Sequence, residues 1–452
     1  MVNHKLNPFK YGKPVSSEYF FGRGEAIRTI FSRINNGEST AIVGEHHIGK
    51  SSFLSYIRDE RVRSAWLDDR VGAYAFIDID CHLLPGSYQP SDFWREVTDH
   101  IKEAFSEEEL RKQLSVVRQS AFGSFTLKHL FDLLARGGMQ VVLLIDEFDV
   151  LLHHPNFNTA EFFGALRSLS TRTDGLALVT ASRTSIAEMN RRSQEINPIG
   201  SPFFNNFTEV RLPPLNSKEV GRLIDRMLEG TGIVFSQHNQ AYIRHMSGGN
   251  PYLVQMAAAA VFEAIIQEKV GKDGSAAAGR MLRDWSALHF ADLWHRLDQK
   301  AQMVMKILAL AEIKRYTKHQ DSLPQRLEQL DNYELELRWL RDLGLIEKTD
   351  STEERDGKEK WRISAGCFVS WIVASGIMTL PSTPQIVDAQ ERTERIAALR
   401  GQIKEKRRRL WWRNEQSAKY GLAVDPFIPN EIEDLEHEIA DLEAQLKDLN
   451  ES

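Results

Sequence analysis

Gly44-Glu45-His46-His47-Ile48-Gly49-Lys50-Ser51 follows a short apolar run, Ser39-Thr40-Ala41-Ile42-Val43, and precedes a helical pattern from Ser52 to Ile57. The spacing of its glycines, lysine and serine is that of a phosphate-binding loop, and a strand before it and a helix after it are the context such a loop requires. The two glycines let the backbone curl so that successive N–H groups and the helix N-terminus face phosphate oxygens. Lys50 is expected to meet the β and γ oxygens and Ser51 to ligate Mg²⁺, with Gly44, Glu45, His46, His47, Ile48, Gly49 and Ser52 forming the cradle. His46 and His47 are adjacent, point differently and bring no third ligand, so they are read as lining the loop rather than holding a metal.

Working outward, three further runs, Ala73-Tyr74-Ala75-Phe76-Ile77-Asp78, Val141-Val142-Leu143-Leu144-Ile145 and Leu176-Ala177-Leu178-Val179-Thr180, are short and almost continuously apolar. Strands with both faces covered by helices look like this, and the alternation with helical patterns predicts a parallel, doubly wound α/β sheet. The second run ends in Asp146-Glu147, the expected partner of a phosphate loop. Asp146 is placed to hold Mg²⁺ through water and Glu147 to polarise a water toward the γ-phosphorus, a pairing that implies hydrolysis rather than binding alone. The third run leads through Ala181-Ser182 to Arg183, at the sheet edge where open α/β sheets bind ligands. A guanidinium there can reach the γ-phosphate within the same chain; the alternative is an ordinary surface arginine at a strand end.

After Pro213-Pro214 the apolar positions recur at helical spacing. Inside this helical stretch, Met246-Ser247-Gly248-Gly249-Asn250-Pro251-Tyr252 reads as paired glycines ending one helix and Pro251 opening the next. From about Trp294 to Leu380 the pattern is three helices, through Met303 to Leu308, near Leu323 to Leu330, and ending at Leu343-Gly344-Leu345. Ile346-Glu347-Lys348-Thr349 and Trp361-Arg362-Ile363-Ser364 then read as a hairpin, and the set has a winged-helix shape. Phe368 to Met378 is read as a buried helix and not a membrane span, because nothing in the chain approaches the roughly 20 apolar residues a span requires. The expected organisation is an N-terminal segment and nucleotide-binding domain at 1–214, a helical domain at 215–292, a winged helix at 293–380, a linker at 381–390 around Pro381 and Pro384, and a charged antiparallel helical hairpin at 391–452.

The 452 residues are 42% hydrophobic and 27% charged, which excludes wholesale disorder and leaves room for several cores. A formal net charge of −6 gives no long-range pull toward nucleic acid. The two cysteines, Cys81 and Cys367, form neither a disulfide framework nor a four-ligand zinc site, and the polar N-terminus has no secretory core. Together these predict a cytoplasmic protein.

Four ordered segments give the chain a family resemblance: Asn7-Pro8-Phe9 with Gly12 and Phe20-Phe21-Gly22-Arg23; the phosphate loop with Asp146-Glu147; Gly200 to Leu212, which includes Asn205-Asn206-Phe207; and Ser247 to Leu253. The chain resembles the STAND class of P-loop NTPases, in its bacterial and archaeal AAA-like branch, over residues 7 to 375. The resemblance implies a nucleotide-operated switch in which an AAA-like domain, a helical domain and a winged helix fold over bound ATP or ADP, with exchange of ADP for ATP opening it. It further implies that Phe21, Gly22 and Arg23 lie near the adenine, that Pro251 packs on the base, and that Arg183 matches the arginine sensing the γ-phosphate. The stretch directly before Phe207 reads Asn205-Asn206, with no arginine where a ring-forming AAA+ motor would present one, which favours a switch acting in cis. The winged-helix histidine that contacts nucleotide in some STAND proteins has no counterpart between Leu345 and Leu380. Effector and sensor domains are also not visible in the chain, so input and output are expected in partner proteins, plausibly in bacterial conflict or antiphage signalling.

Ile432, Leu435, Ile439, Leu442, Leu446 and Leu449 form a heptad seam on an acidic helix, and Ile396, Leu399, Ile403 and Leu410 a shorter seam on a helix rich in lysine and arginine. An antiparallel hairpin would bury both seams and set the basic face beside the acidic one, which makes the basic run a paired face rather than a nucleic-acid site. Trp411-Trp412 would stand exposed near the turn unless packed on the body or a partner. The stretch from Tyr420 to Asp434 resembles a helical coupling module found beside effector and NTPase domains, and the hairpin is the expected effector or sensor contact. The first function is therefore a slowly hydrolysing regulatory ATPase that changes conformation or homo-oligomer state. The competing class is a DNA-binding AAA-type ATPase, of replication-initiator or transposition-regulator type, reading a duplex with Tyr333 to Arg341. That helix mixes acidic with basic residues where a DNA reader needs a basic surface. A binding module with a degenerate ATPase is a third class, opposed by the presence of Lys50, Ser51, Asp146 and Glu147.

Overall fold

The computed structural model describes residues 6–196, 202–267, 275–316, 329–349 and 361–377, and helical positions 403, 406, 410, 432, 435 and 437–443. Two compact units divide it, Met1–Met378 and Thr379–Ser452.

The first unit is organised by a five-stranded parallel sheet of β1 (Thr40–Val43), β2 (Tyr74–Asp80), β3 (Gln140–Asp146), β4 (Leu176–Ser182) and β5 (Thr208–Arg211), in the order β2-β3-β4-β1-β5. The four expected strands are present within one or two residues of their predicted ends. The phosphate-loop strand β1 and the acidic strand β3 are not neighbours, because β4 lies between them, paired Val43 to Ser182 on one side and Ile145 to Thr180 on the other. Three functional strand ends therefore open onto one edge of the sheet.

The strands are apolar throughout because both faces are covered. Val141, Leu143 and Ile145 of β3 point to one side, into a core with α4 (Pro90–Ala104), α5 (Glu108–Gln119), α6 (Ser124–Arg136) and α7 (Ala160–Arg172). Val142 and Leu144 point to the other, against Ile30, Phe31 and Ile34 of α1 (Gly24–Asn35) and Phe53, Leu54 and Ile57 of α2 (Lys50–Arg58). Helix α3 (Glu60–Leu67) follows α2, and α8 (Ile186–Ile196) follows β4. β5 was not expected as a strand: its Thr-Glu-Val-Arg residues are exposed or half-buried at the sheet edge, so it lacks the apolar run that betrays a central strand.

Helices α9 (Ser217–Leu228), α10 (Gln237–Ser247), α11 (Pro251–Gln267) and α12 (Ser275–Arg296) come next. Asn216 caps α9 in a capping box with Glu219, and Asn250 caps α11 by accepting from the N–H groups of Tyr252 and Leu253. As expected, α10 ends at left-handed Gly248 and Pro251 opens α11. α11 is apolar on every side and is accordingly buried. The expected domain boundary at 292 and 293 lies inside α12, which runs unbroken through both residues.

Of the winged-helix expectation, two helices and the ribbon fall in described residues. They are α13 (Gln299–Tyr316), α14 (Glu334–Asp342) and the antiparallel pair β6 (Ile346–Lys348) and β7 (Trp361–Ile363). The helix expected near Leu323 lies mostly outside the described residues, as do the linker and Trp411-Trp412. The buried helix expected from Phe368 is α15 (Gly366–Ala374), and it packs on α12 through Phe368 stacked on Phe290 at 4.6 Å. No helix among the described residues is long and apolar enough to cross a membrane. In the second unit, Ile403, Leu435 and Ile439 are buried and Lys406 pairs with Glu438; most of the expected hairpin lies outside the described residues.

The paired glycines are a packing requirement as well as a helix stop. A Cβ on Gly248 would lie 2.4 Å from the Ser364 carbonyl oxygen, and one on Gly249 would lie 2.3 Å from that of Leu215; both have positive φ. Gly249→Ala is expected to destabilise the protein by roughly 2–4 kcal/mol, combining left-handed strain with a backbone clash. Urea unfolding of the full chain measures it, and an unchanged midpoint would contradict this packing.

Candidate nucleotide site

The phosphate loop leaves β1 with Gly44 N–H donating to Ser182 O at 3.3 Å and enters α2 at Lys50. His47 and Gly49 are left-handed, with φ of 63° and 94°, which curls the loop as its spacing predicted. Lys50 is buried, and its Nζ donates to the carbonyls of Gly44 and Glu45 at 2.9 and 3.2 Å. Burial lowers its pKa, opposed by Glu147, Glu45, Asp146 and Asp149. Ser51 and Ser52 line the same cavity, and Ser52 Oγ accepts from Val15 N–H at 3.2 Å.

Beside the loop, the end of β3 presents the acidic pair. Asp146 Oδ1 accepts from Glu147 N–H at 2.9 Å, and Glu147 is itself left-handed, which turns its side chain toward the cavity it lines. Glu147 Oε2 is buried without a hydrogen bond, and Arg183 Nε stands 3.7 Å from it. Arg183, at the end of β4 and partly exposed to solvent, thus stands beside the acidic group of the neighbouring strand. Asp149 was missed: its Oδ2 accepts from Thr184 N–H and Oγ1 at 3.1 and 2.7 Å, tying the acidic strand's exit to the segment after Arg183. The Asp-Glu-Phe-Asp run was the available signal. The Glu147 oxygen without a hydrogen bond, the buried lysine, Ser51 in the cavity wall and Asp146 at the end of β3 form a donor and acceptor set that fits a nucleotide polyphosphate with Mg²⁺.

Phe21, Arg23, Gly49, Lys50, Glu147 and Pro251 line one cavity of about 230 Å³. Arg23 is buried and donates through Nη2 to Ile48 O, while its Nε has no partner. Burial pulls the Arg23 pKa down to about 10, with Glu219 acting in the opposite sense. Gly22 does not line the cavity. It sits where a Cβ would strike the Glu219 carboxylate at 2.5 Å, so the segment expected near adenine is pressed onto the cap of α9. Glu219, Gln255 and Leu223 were not foreseen, because the chain brings them to the site from far away in sequence. Lys10 N–H donates to Gln255 Oε1 at 3.2 Å and Phe9 stacks on Phe235, so the N-terminal segment joins the helical part to the loop.

His46 and His47 line the cavity, as expected, and no group of metal-ligating residues is found among the described residues. The helical part meets them with rings: His47 lies parallel to Tyr252 at 4.2 Å, and His289 of α12 stands 5.4 Å from His47. Burial pushes all three histidines down to about 4, reinforced at His46 by Lys50, Arg183 and Arg296 and opposed by Glu45.

A five-stranded parallel sheet with a phosphate loop, a strand-end acidic pair and an arginine on the strand between them defines a P-loop NTPase of AAA-like architecture. The family model described as Novel STAND NTPase 2 matches residues 32–304, more than half of the chain, and the protein belongs to that family. Among solved structures the chain is similar to a Walker-type ATPase of Pyrococcus abyssi, with a TM-score of 0.47, 14% identity, and coverage of 81% of this chain and 99% of that one. It is also similar to the Aeropyrum pernix ORC2 protein in its ADPNP–ADP complexes, with a TM-score of 0.46, 15% identity, and coverage of 83% and 99%. No curated protein matches the sequence significantly.

The histidine rings carry a pH prediction. An unfolded chain binds protons at these groups near the ordinary value of 6.5, whereas the folded one resists until about 4. Their contribution to stability is therefore complete above about pH 7 and is lost as pH falls from 6.5 toward 4. The thermal midpoint is expected to drop between pH 7 and pH 5, and His289→Phe, which keeps a ring in place, should shrink that drop. An equal drop in both proteins would separate these rings from the acid sensitivity.

Proposed function

We propose that the protein is a nucleotide-operated switch that binds Mg-ATP, hydrolyses it slowly, and uses the difference between ATP and ADP to reposition its helical parts and so control a partner or its own assembly. The observation that carries this reading is one cavity walled at once by the phosphate loop, the N-terminal segment and α11. A ligand filling it touches all three, so its affinity is linked to how they are seated. Lys50 and the loop N–H groups would hold the phosphates, Pro251 and Phe21 the base, and Ser51 and Asp146 the Mg²⁺, whose charge would screen the transferring phosphoryl group. Glu147 would orient and deprotonate the attacking water, and Arg183 would answer the charge developing on the γ-phosphate.

The output is proposed to be an effector or sensor in trans, engaged through the C-terminal charged helices, or an ATP-dependent homo-oligomer, with conflict signalling as the family-level setting. A DNA-reading role for α14 is not favoured by its charges. Arg338 pairs with Glu334, and Arg341 with Asp342, so both guanidinium groups are neutralised within the helix region that would have to meet phosphates.

Lys50→Ala is expected to abolish nucleotide binding, while Glu147→Gln keeps binding and slows hydrolysis about 10²–10⁴-fold, the usual share of a positioned general base. Titration calorimetry and phosphate release measure the two effects. Light scattering of Glu147→Gln in Mg-ATP against Mg-ADP tests the assembly arm. Hydrolysis by Glu147→Gln at the wild-type rate would remove that residue from the mechanism.

A further inference from the structure

The side chains of the phosphate loop that do not belong to its glycine, lysine and serine framework are used on the helical part. Glu45, whose side chain is only 10% exposed, accepts a 2.6 Å hydrogen bond from Arg296 Nη1 at the C-terminal end of α12, and also accepts from the N–H of His46 at 2.8 Å. Asp292, one turn earlier on α12, steadies the same guanidinium through Nε at 3.3 Å. His47 is stacked on Tyr252 and flanked by His289, so ring contacts from α11 and α12 hold the next part of the loop.

Glu45 is a poor neighbour for a polyanion. A phosphate loop works by presenting N–H groups and a lysine to negative oxygens, and a carboxylate one residue into that loop opposes them. With Arg296 on it, the local charge is balanced. With α12 withdrawn, Glu45 stands in the phosphate loop with no guanidinium to balance its carboxylate. Resting on the nucleotide-switch reading, we propose that Glu45 is a built-in opponent of phosphate binding that Arg296 neutralises while α12 is seated, so that nucleotide affinity is conditional on the position of α12. Arg296 is a positioning residue: it acts through Glu45 and needs no contact with the nucleotide. The linkage is reciprocal, so bound nucleotide favours the seated α12 by the same factor that the seated helix favours nucleotide.

The test is Mg-ADP and Mg-ATP binding to the full chain by titration calorimetry. Arg296→Ala is expected to weaken both nucleotides about tenfold to a hundredfold, the range for losing one charge-assisted hydrogen bond. Adding Glu45→Gln to it should return the affinity to that of Glu45→Gln alone, and Arg296→Lys should lose less than the alanine variant. Glu45→Gln by itself leaves the ring contacts of α11 and α12 intact and is expected to bind Mg-ADP at least as tightly as the wild type. Unchanged binding by Arg296→Ala, a double variant as weak as the single one, or weaker binding by Glu45→Gln would each overturn the proposal. So would a loss confined to ATP, which would make Arg296 a γ-phosphate ligand. A wild-type chain that binds neither nucleotide would overturn the switch reading itself, and this proposal with it.

Discussion

A buried ammonium group is the constraint on which the rest of the structure depends. Lys50 is 5% exposed, and a lysine so far from water is tolerated only where opposite charge and hydrogen-bond acceptors converge on it. Here the carbonyls of Gly44 and Glu45 accept hydrogen bonds from it directly, and Glu45, Asp146, Glu147 and Asp149 supply the field. Those four carboxylates come from the loop after β1 and the exit of β3, which is why β4 must lie between the two strands at the right register. Arg183 at the end of β4 and Arg296 at the end of α12 then answer two of them, Glu147 and Glu45. Sheet order, loop curl and the reach of a distant helix are parts of one charge balance.

How much of this the sequence exposes depends on the range of the interaction involved. The strands of the sheet centre announce themselves because burial on both faces forces an unbroken apolar run, and the loop announces itself because backbone curl restricts residue types at fixed spacing. β5 hides because an edge strand needs neither: Thr208 to Arg211 read as polar chain until Val43 is found paired with Arg211. Asp146 and Glu147 stand out by ending an apolar strand, whereas Asp149, three residues later, needs Thr184 as its partner before its place is evident. Glu219, Gln255, His289 and Arg296 are ordinary residues on ordinary helices. Nothing local marks them, since what places them at the site is the packing of the helical part on the loop.

The glycines of the helical part have a similar double character. As a pattern, Gly248-Gly249 with Pro251 means only the end of one helix and the start of another. In the structure they are also the points where the backbone of α10 and its exit comes within van der Waals range of Ser364 and Leu215, with Gly366 in turn close against His245. At Gly248 and Gly249 backbone meets backbone, which leaves no side chain there to rearrange, so the exit of α10 packs closely on the residues following β7 and on Leu215. A change in the seating of α11 at Pro251 and Tyr252 is therefore carried as a movement of packed elements rather than absorbed by flexible side chains.

This gives the phosphate loop two separable jobs. Its glycines, Lys50 and Ser51 are bound by the chemistry of phosphate and have little freedom to vary. Of its remaining positions, Glu45 bonds Arg296 of α12 and His47 stacks on Tyr252 of α11 beside His289 of α12, while His46 lines the cavity and packs against His47. On the other side of the loop, Arg23 bonds Ile48 O and faces Glu219 at the cap of α9. The loop is thus held from both sides by groups that the helical part carries or touches, and this shared attachment is what the proposed switch would use to link phosphate binding to those helices.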